Sequence, residues 1–455
     1  MQFESFSIKR SRKETLVKRT VRRGDDAVKA NRVATLGQVL SGTRTKAVIY
    51  YASSSLVCQA VRFLGVLLTT RMIAPEQFGL FAKAALLMSV AGLFREIGQS
   101  GALVAYQGKD RRYIYFNFQL NAGLGLGAGA LVFASLLVPR LIPDDLRGYI
   151  WLPAAILLFD SLTLTSSLML QKHLRFKVLG IVEIFTLVVW LSTVCLTVGR
   201  FPGLLVLLSS AFAESLCRCF LLFIVTGRRF VGFASGKDLR QYYLYTFARP
   251  VIPLVILQNV LTRNDFLLLT LLSTTRDLGT YERLGQFSRI PISLTVNLCD
   301  KVLMHSYSHF QNDRPALKRL VKKSMLLITL GVVVITAVVT VMLFILLKFL
   351  VGPDWAAIVK NLWWFGVPIL VLTPILSNIA LFFSGLGMQG QLLQNTALNL
   401  LTDLMFGIPL VVAFGARGML LAKSISAMVS LGYQARVLYQ RVTMSAPLQM
   451  AEQGS

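Results

Sequence analysis

Long stretches without a charged side chain limit what this chain can fold into. Residues 325–347 read MLLITLGVVVITAVVTVMLFILL, with no charge in 23 consecutive positions. A helix of about 20 apolar residues crosses the hydrocarbon core of a bilayer. Comparable runs recur along almost the whole chain after residue 46, and 55% of all residues are hydrophobic. The pattern predicts an all-α polytopic membrane protein.

Twelve runs are long enough to span a membrane. They lie at about 47–68, 77–96, 114–138, 150–170, 178–198, 204–225, 246–272, 280–304, 325–347, 361–383, 391–413 and 418–437. With the N-terminus inside and residues 1–46 set aside, the cytoplasmic segments carry sixteen Lys and Arg residues against eight on the opposite side. The bias predicts a multi-pass protein with both termini in the cytoplasm. It also accounts for the formal net charge of +26, so we do not expect nucleic-acid binding.

The predicted spans divide into two groups of six. At a shift of 200 residues, segment 67–83 aligns with 267–284 to within one residue, and Gly79 falls on Gly279. Groups of six helices have the same orientation in the membrane, which is typical of transporters built from parallel repeats. The predicted domains are a basic cytoplasmic tail (1–46), an N-terminal six-helix lobe (47–230), a C-terminal six-helix lobe (231–440) and a cytoplasmic C-terminal tail (441–455).

Several function classes are disfavoured. The tail has twelve Lys and Arg against four Asp and Glu and no apolar core of a signal peptide, so we expect it to contact anionic membrane lipid. The five cysteines fall inside predicted spans, and the histidines lack companion ligands, so neither a metal site nor a disulfide framework is expected. No phosphate-binding loop and no nucleophile–base pair is present. The sequence therefore predicts neither an enzyme nor a cofactor.

Charged residues inside the spans point to a hydrated cavity. An arginine at bilayer depth costs roughly 2.5–3.5 kcal/mol, and Arg62 lies in the first span. Arg62 and Lys83 have no acid close by in their own helices, so they either line a cavity, which we favour, or form ion pairs between helices. Two other arginines are expected to pair with an acid in their own helix. Arg218 follows Glu214 by four residues, and Arg263 precedes Asp265 by two.

Two spans carry polar stripes. The eighth span has one at helical spacing, formed by Glu282, Gln286, Arg289, Ser293, Asn297 and Asp300. Its arginines favour a face toward a wet cavity. The eleventh span has another, formed by Gln391, Asn395, Asn399 and Asp403. There we favour hydrogen bonds that hold helices together. The seventh span contains Pro250 and Pro253, and the tenth contains Pro368 and Pro374, which predict hinges within these helices.

Three segments resemble a known family. They are TTRMIAPEQFGLFA (69–82), LMLQKHLRFK (168–177) and NDFLLLTLLSTTRDLGTYERLGQFSRIPI (264–292). In order and spacing they resemble the Wzx-like oligosaccharide flippases of the multidrug/oligosaccharidyl-lipid/polysaccharide exporter superfamily. The resemblance extends over roughly 47–440 and implies two six-helix lobes around a central cavity, lined chiefly by the first, second, seventh and eighth spans.

The resemblance also implies a substrate and a site. The substrate would be an oligosaccharide on a polyprenyl diphosphate, moved by alternating access across the bacterial inner membrane for polysaccharide biosynthesis. Fixed guanidinium groups suit a diphosphate that leaves water. The candidate substrate-binding residues are Arg62, Lys83, Arg263, Arg283, Arg289, Gln286 and Asn297. The candidates for coupling to H⁺ or Na⁺ are Asp160, Asp265 and Asp403, and the sequence does not choose among them.

Two other functions remain open at this point. A drug/cation antiporter of the same superfamily would need carboxylates facing the cavity, whereas Lys and Arg are in excess on the four expected cavity spans. A non-transporting scaffold of a polysaccharide assembly complex would use the basic tail to dock on a polymerase or another assembly protein.

Overall fold

The described part of the chain is helical. The structure is a computed structural model that describes residues 43–93, 95, 99–106, 110–137, 143–173, 175–227, 230–243, 249–286, 367–385 and 388–443, with scattered residues between 319 and 341. No strand occurs in these ranges. Most of both predicted tails, together with Arg289 and Asn297, lies outside the described residues.

The helices follow the predicted spans closely. They are α1 (Thr43–Met72), α2 (Pro75–Gly92), α3 (Gln99–Ala105), α4 (Arg111–Ala134), α5 (Asp144–Arg147), α6 (Trp151–Lys172), α7 (Phe176–Thr197), α8 (Gly203–Thr226), α9 (Lys237–Arg240), α10 (Arg249–Leu272), α11 (275–286), α12 (Val367–Gly385), α13 (Gln389–Phe414) and α14 (Ala416–Thr443). Within the described ranges, five stretches are long and apolar enough to cross a membrane. They are Arg111–Leu137, α6, α7, α8 and Gly390–Phe414. The count of twelve stays a prediction, since the ninth span lies largely outside these ranges.

Local sequence explains where helices begin. Pro75 occupies the first turn of α2, where its missing N–H costs nothing, and Glu76 faces the positive end of the helix dipole. Asp110 caps α4 by accepting a hydrogen bond from the backbone N–H of Arg112 at 2.9 Å. Of the four prolines predicted as hinges, Pro253 and Pro374 lie inside α10 and α12. Residues 244–248 and 361–366, which precede these two helices, lie outside the described residues, so the hinges stay a prediction.

Helix packing repeats after six spans. In the first half α1 packs on α7, α6 packs on α8, and α7 packs on α8. In terms of the predicted spans, the first packs on the fifth, the fourth on the sixth, and the fifth on the sixth. In the second half α10 packs on α13, α12 on α14, and α13 on α14, which are the same pairings six spans later. The chain is thus an all-α polytopic membrane protein with two lobes.

The two halves meet where α2 and α11 begin. A Cβ on Gly79 would lie 1.9 Å from the carbonyl oxygen of Thr275, and a Cβ on Gly279 would lie 1.9 Å from that of Pro75. The contact is reciprocal at a shift of 200 residues, which matches the internal repeat. Only glycine permits this approach of the two backbones. A buried apolar cluster that includes Phe78 joins the helices around this contact.

The polar stripe of the eleventh span holds helices together, as predicted. Ser430 Oγ donates to Asn395 Oδ1 at 2.8 Å, and Lys423 Nζ donates to Asp403 Oδ2 at 2.6 Å. Both donors lie on α14. Asn264 on α10 also donates to Asp403 Oδ2, at 3.1 Å. The stripe therefore ties α13 to α14 and α10 inside the second half.

Candidate functional site: a polar cavity at the lobe interface

A cavity of about 690 Å³ lies between the first-half helices and α11. Helices α1, α7 and α8 supply most of its described lining, α6 and α2 supply less, and α11 supplies Arg283 and Gln286. Its charged residues are Arg62, Arg218, Arg283, Glu183 and Glu214, so their formal net charge is +1. None of the described lining residues comes from α10, whose polar residues Asn264 and Asp265 instead bind Asp403 and Tyr281 within the second half.

Two arginines share one carboxylate in this cavity. Arg62 Nη2 donates to Glu214 Oε1, and Arg218 Nη2 donates to the same oxygen at 2.8 Å. The Glu214–Arg218 pair confirms the prediction from their spacing. The Arg62 side chain stays 51% exposed, whereas that of Glu214 is only 12% exposed. Arg62 thus both lines the cavity and forms an ion pair between α1 and α8.

Arg283 is a buried guanidinium held by neutral groups. It lies over the Phe78 ring, with its central carbon 3.3 Å from the ring centroid. Nη1 donates to Gln286 Oε1 at 2.6 Å and Nη2 donates to Thr69 Oγ1 at 3.2 Å. Its Nε has no hydrogen-bond partner among the described residues, and no described carboxylate lies within ion-pair distance of it. A positive charge so placed attracts an anion to the cavity wall.

Lys83 and Arg263 are not among the residues that line this cavity. Lys83 Nζ donates to Thr275 Oγ1 at 2.9 Å and thereby links α2 to α11. The guanidinium of Arg263 lies 5.6 Å from the centroid of the Phe266 ring. The expected pairing of Arg263 with Asp265 is wrong, because Asp265 accepts instead from the hydroxyl of Tyr281, at 2.7 Å.

The three candidate coupling acids have different surroundings. Asp160 accepts from Ser215 Oγ at 2.8 Å and lies 4.0 Å from Arg95, with a side chain 30% exposed. Asp265 also accepts from the backbone N–H of Phe266 at 2.9 Å. Asp403 is 2% exposed and is bound by Lys423. None of the three lines the cavity in the part of the chain that the structure describes.

Sequence reasoning did not assign most of the cavity's first-half wall. Glu183 stands alone in an apolar span, and an ionisable residue there is a usual marker of a site. Gln59 precedes Arg62 by one helical turn and lines the same wall. Trp190 packs against α1 at Gly65, where a Cβ would lie 2.3 Å from the indole ring. No sequence signal indicates that contact.

Comparisons with known proteins agree with this architecture. A family model described as Polysaccharide biosynthesis protein matches residues 68–360. A structure of the lipid II flippase MurJ in an inward closed conformation superposes with a TM-score of 0.69 at 13% identity, covering 86% of this chain and 87% of that one. An inward-facing multidrug resistance MATE family transporter of the MOP superfamily gives 0.62 at 12% identity, covering 85% and 96%.

A third structure shares the fold. A MOP superfamily transporter from Pyrococcus furiosus, described as having a binding pocket of reversed polarity, gives a TM-score of 0.57 at 14% identity and covers 90% of this chain and 98% of that one. No curated protein matches the sequence. At these identities the structures show a shared fold. The solved structures that share this fold are membrane transporters, and the chain belongs to the polysaccharide biosynthesis protein family.

Proposed function

We propose that the protein is a flippase that moves a polyprenyl-diphosphate-linked oligosaccharide across the bacterial inner membrane for polysaccharide biosynthesis. The family, the MurJ-like fold and the cavity between the lobes support this function. The cytoplasmic orientation of both termini and the lobe boundaries at residues 47, 230 and 440 belong to the same proposal. Transport proceeds by alternating access of the two lobes.

The observation that carries the proposal is the arrangement of three guanidinium groups around one cavity. Arg283 has only neutral hydrogen-bond partners among the described residues, and Arg62 and Arg218 share a single carboxylate oxygen of Glu214. A diphosphate offers several anionic oxygens that bind guanidinium groups in bidentate pairs. It therefore replaces Glu214 at Arg62 while Arg218 keeps Glu214 neutralised.

The rest of the lining suits an oligosaccharide. Gln59, Gln171 and Ser210 provide neutral donors and acceptors for hydroxyl groups, and Trp190 and Phe63 provide apolar faces. Such a mixture of a few polar groups on an apolar wall is usual for small-molecule sites. The prenyl chain stays in the surrounding lipid, so the cavity receives only the head group.

The contact between the starts of α2 and α11, called the seal below, defines one state of the transport cycle. The reciprocal contact of Gly79 and Gly279 closes the halves against each other at the turns that precede α2 and α11. In the proposed orientation these turns face away from the cytoplasm. The structure thus represents a state closed on that side, and separation of the two turns releases the head group there. A gradient of H⁺ or Na⁺ drives the cycle through one of the three acids.

A second candidate is a drug/cation antiporter. Its supporting observation is that Glu183 and Glu214 both line the cavity. Against it, the Glu214 carboxylate already binds two arginines, which leaves little negative charge for a cation.

The test is export in cells that lack the native gene and carry an Arg62→Gln, Arg283→Gln or wild-type copy. We expect both variants to reach the membrane and to lose most export of the lipid-linked sugar. Arg71→Gln is the matched control, since Arg71 is an exposed residue on α1 that does not line the cavity. Normal export by both cavity variants would remove the basis of the proposal. Efflux of cationic dyes without a sugar phenotype would favour the antiporter.

A further inference from the structure

A second cavity of about 600 Å³ lies at the other end of the first half, away from the seal. The start of α4, the ends of α6 and α8, and the turn that follows α6 surround it. In the predicted topology this end faces the cytoplasm, at the level of the lipid head groups. It shares no lining residue with the cavity between the lobes.

The lining of this second cavity is basic. Arg111, Lys172, His173 and Arg175 contribute to it, and no acidic residue is among its described lining residues. Lys172 Nζ donates to the carbonyl oxygens of Leu103 and Tyr106, so its role is to close the wall. Arg111 and Arg175 are exposed, and neither forms an ion pair with a described residue. These two guanidinium groups are available to an anionic ligand.

The wall of the cavity is held in place by tyrosines. Tyr106 stacks on Tyr113 with ring centroids 4.1 Å apart. Tyr242, in the segment that leads to the second half, donates to the carbonyl oxygen of Ala102 at 3.1 Å. Tyr243 donates to the carbonyl oxygen of Tyr113 at 2.9 Å. A preformed wall lowers the entropy that a ligand must lose on binding.

An apolar surface adjoins the basic one. Val225 lines the cavity and is itself 43% exposed, and the preceding residue on α8, Ile224, is 58% exposed. In a membrane-spanning helix such side chains face acyl chains. We propose that this cavity binds the phosphate group of an anionic phospholipid, with Arg111 and Arg175 on the phosphate and the acyl chains along α8. The inference is independent of the transported substrate.

The experiment measures lipid binding to the full-length protein in detergent by native mass spectrometry. Phosphatidylglycerol is compared with phosphatidylcholine of the same acyl chains. We expect the Arg111→Gln/Arg175→Gln variant to bind phosphatidylglycerol about tenfold more weakly than the wild type, because each charge-assisted hydrogen bond contributes strongly. Phosphatidylcholine binding should change little.

Arg112→Gln is the matched control. Arg112 follows Arg111 directly, but its guanidinium is paired with Asp110 at 2.8 Å. That contact lowers the pKa of Asp110 below its ordinary value. The inference is overturned if the double variant keeps wild-type binding, or if Arg112→Gln weakens binding as much. It is also overturned if millimolar inorganic phosphate displaces the lipid, because the site would then take a soluble anion.

Discussion

One added methyl group at Gly79 or Gly279 is expected to open the seal between the halves. The new Cβ would lie 1.9 Å from the carbonyl oxygen of Thr275 or Pro75, respectively, and real Cβ contacts are essentially never below 3.0 Å. Both opposing groups are backbone atoms, so no rotamer change relieves the clash. The starts of α2 and α11 must therefore separate by more than about 1 Å.

The size of the effect follows from the cost of overpacking. Forcing an extra carbon into a packed contact costs typically about 1–3 kcal/mol. In an alternating-access protein this cost falls on the sealed state alone, because the open state has no such contact. The equilibrium should shift toward the open state by about 5- to 150-fold.

The assay is the labelling rate of Cys58, a cavity residue, by a membrane-impermeant maleimide added outside the cell. The other four cysteines are replaced by serine. We expect Gly79→Ala and Gly279→Ala to label faster by the stated factor. Matched controls are Gly92→Ala on α2 and Gly285→Ala on α11, where a Cβ meets no atom of a described residue within 4 Å. Unchanged rates in the test variants, or equal acceleration in the controls, would refute the reasoning.

Three further predictions concern stability, measured as thermal unfolding of the purified protein in detergent. Lys423→Met should destabilise by about 3 kcal/mol because it leaves the buried carboxylate of Asp403 without a counter-charge, and adding Asp403→Asn should recover much of the loss. Gly65→Val should lower stability by about 1–3 kcal/mol and change the fluorescence of Trp190, whose ring it would displace. Asn121→Leu should cost about 1–3 kcal/mol, since its buried partners on neighbouring helices lose their hydrogen bonds.

Sequence patterns predicted the features that depend on neighbours along one helix. The Glu214–Arg218 pair is four residues apart, and the stripe that contains Asp403 has strict helical spacing. The apolar runs likewise gave the helices that the structure describes. The alignment of Gly79 with Gly279 indicated a repeat, and the structure adds that the two positions touch across the lobes.

Features that depend on distant residues could not be predicted in the same way. Arg62 binds Glu214, which is 152 positions away along the chain. Asp265 accepts a hydrogen bond from Tyr281 and does not pair with Arg263, two positions before it, because the α10–α11 turn brings the phenol within hydrogen-bond distance. The first-half wall of the cavity, with Glu183, arises from packing of α7 and α8 that no local period encodes.

The most direct test of the central claim is the affinity of the purified protein for a polyprenyl diphosphate. A charge-assisted hydrogen bond contributes about 1.5–3 kcal/mol, and the half-exposed position of Arg62 favours the lower end of that range. Arg62→Gln should therefore weaken binding about tenfold. Glu214→Gln removes the competing carboxylate and should strengthen binding, while Arg71→Gln should change nothing. Equal affinity of all four proteins for the diphosphate would contradict the account.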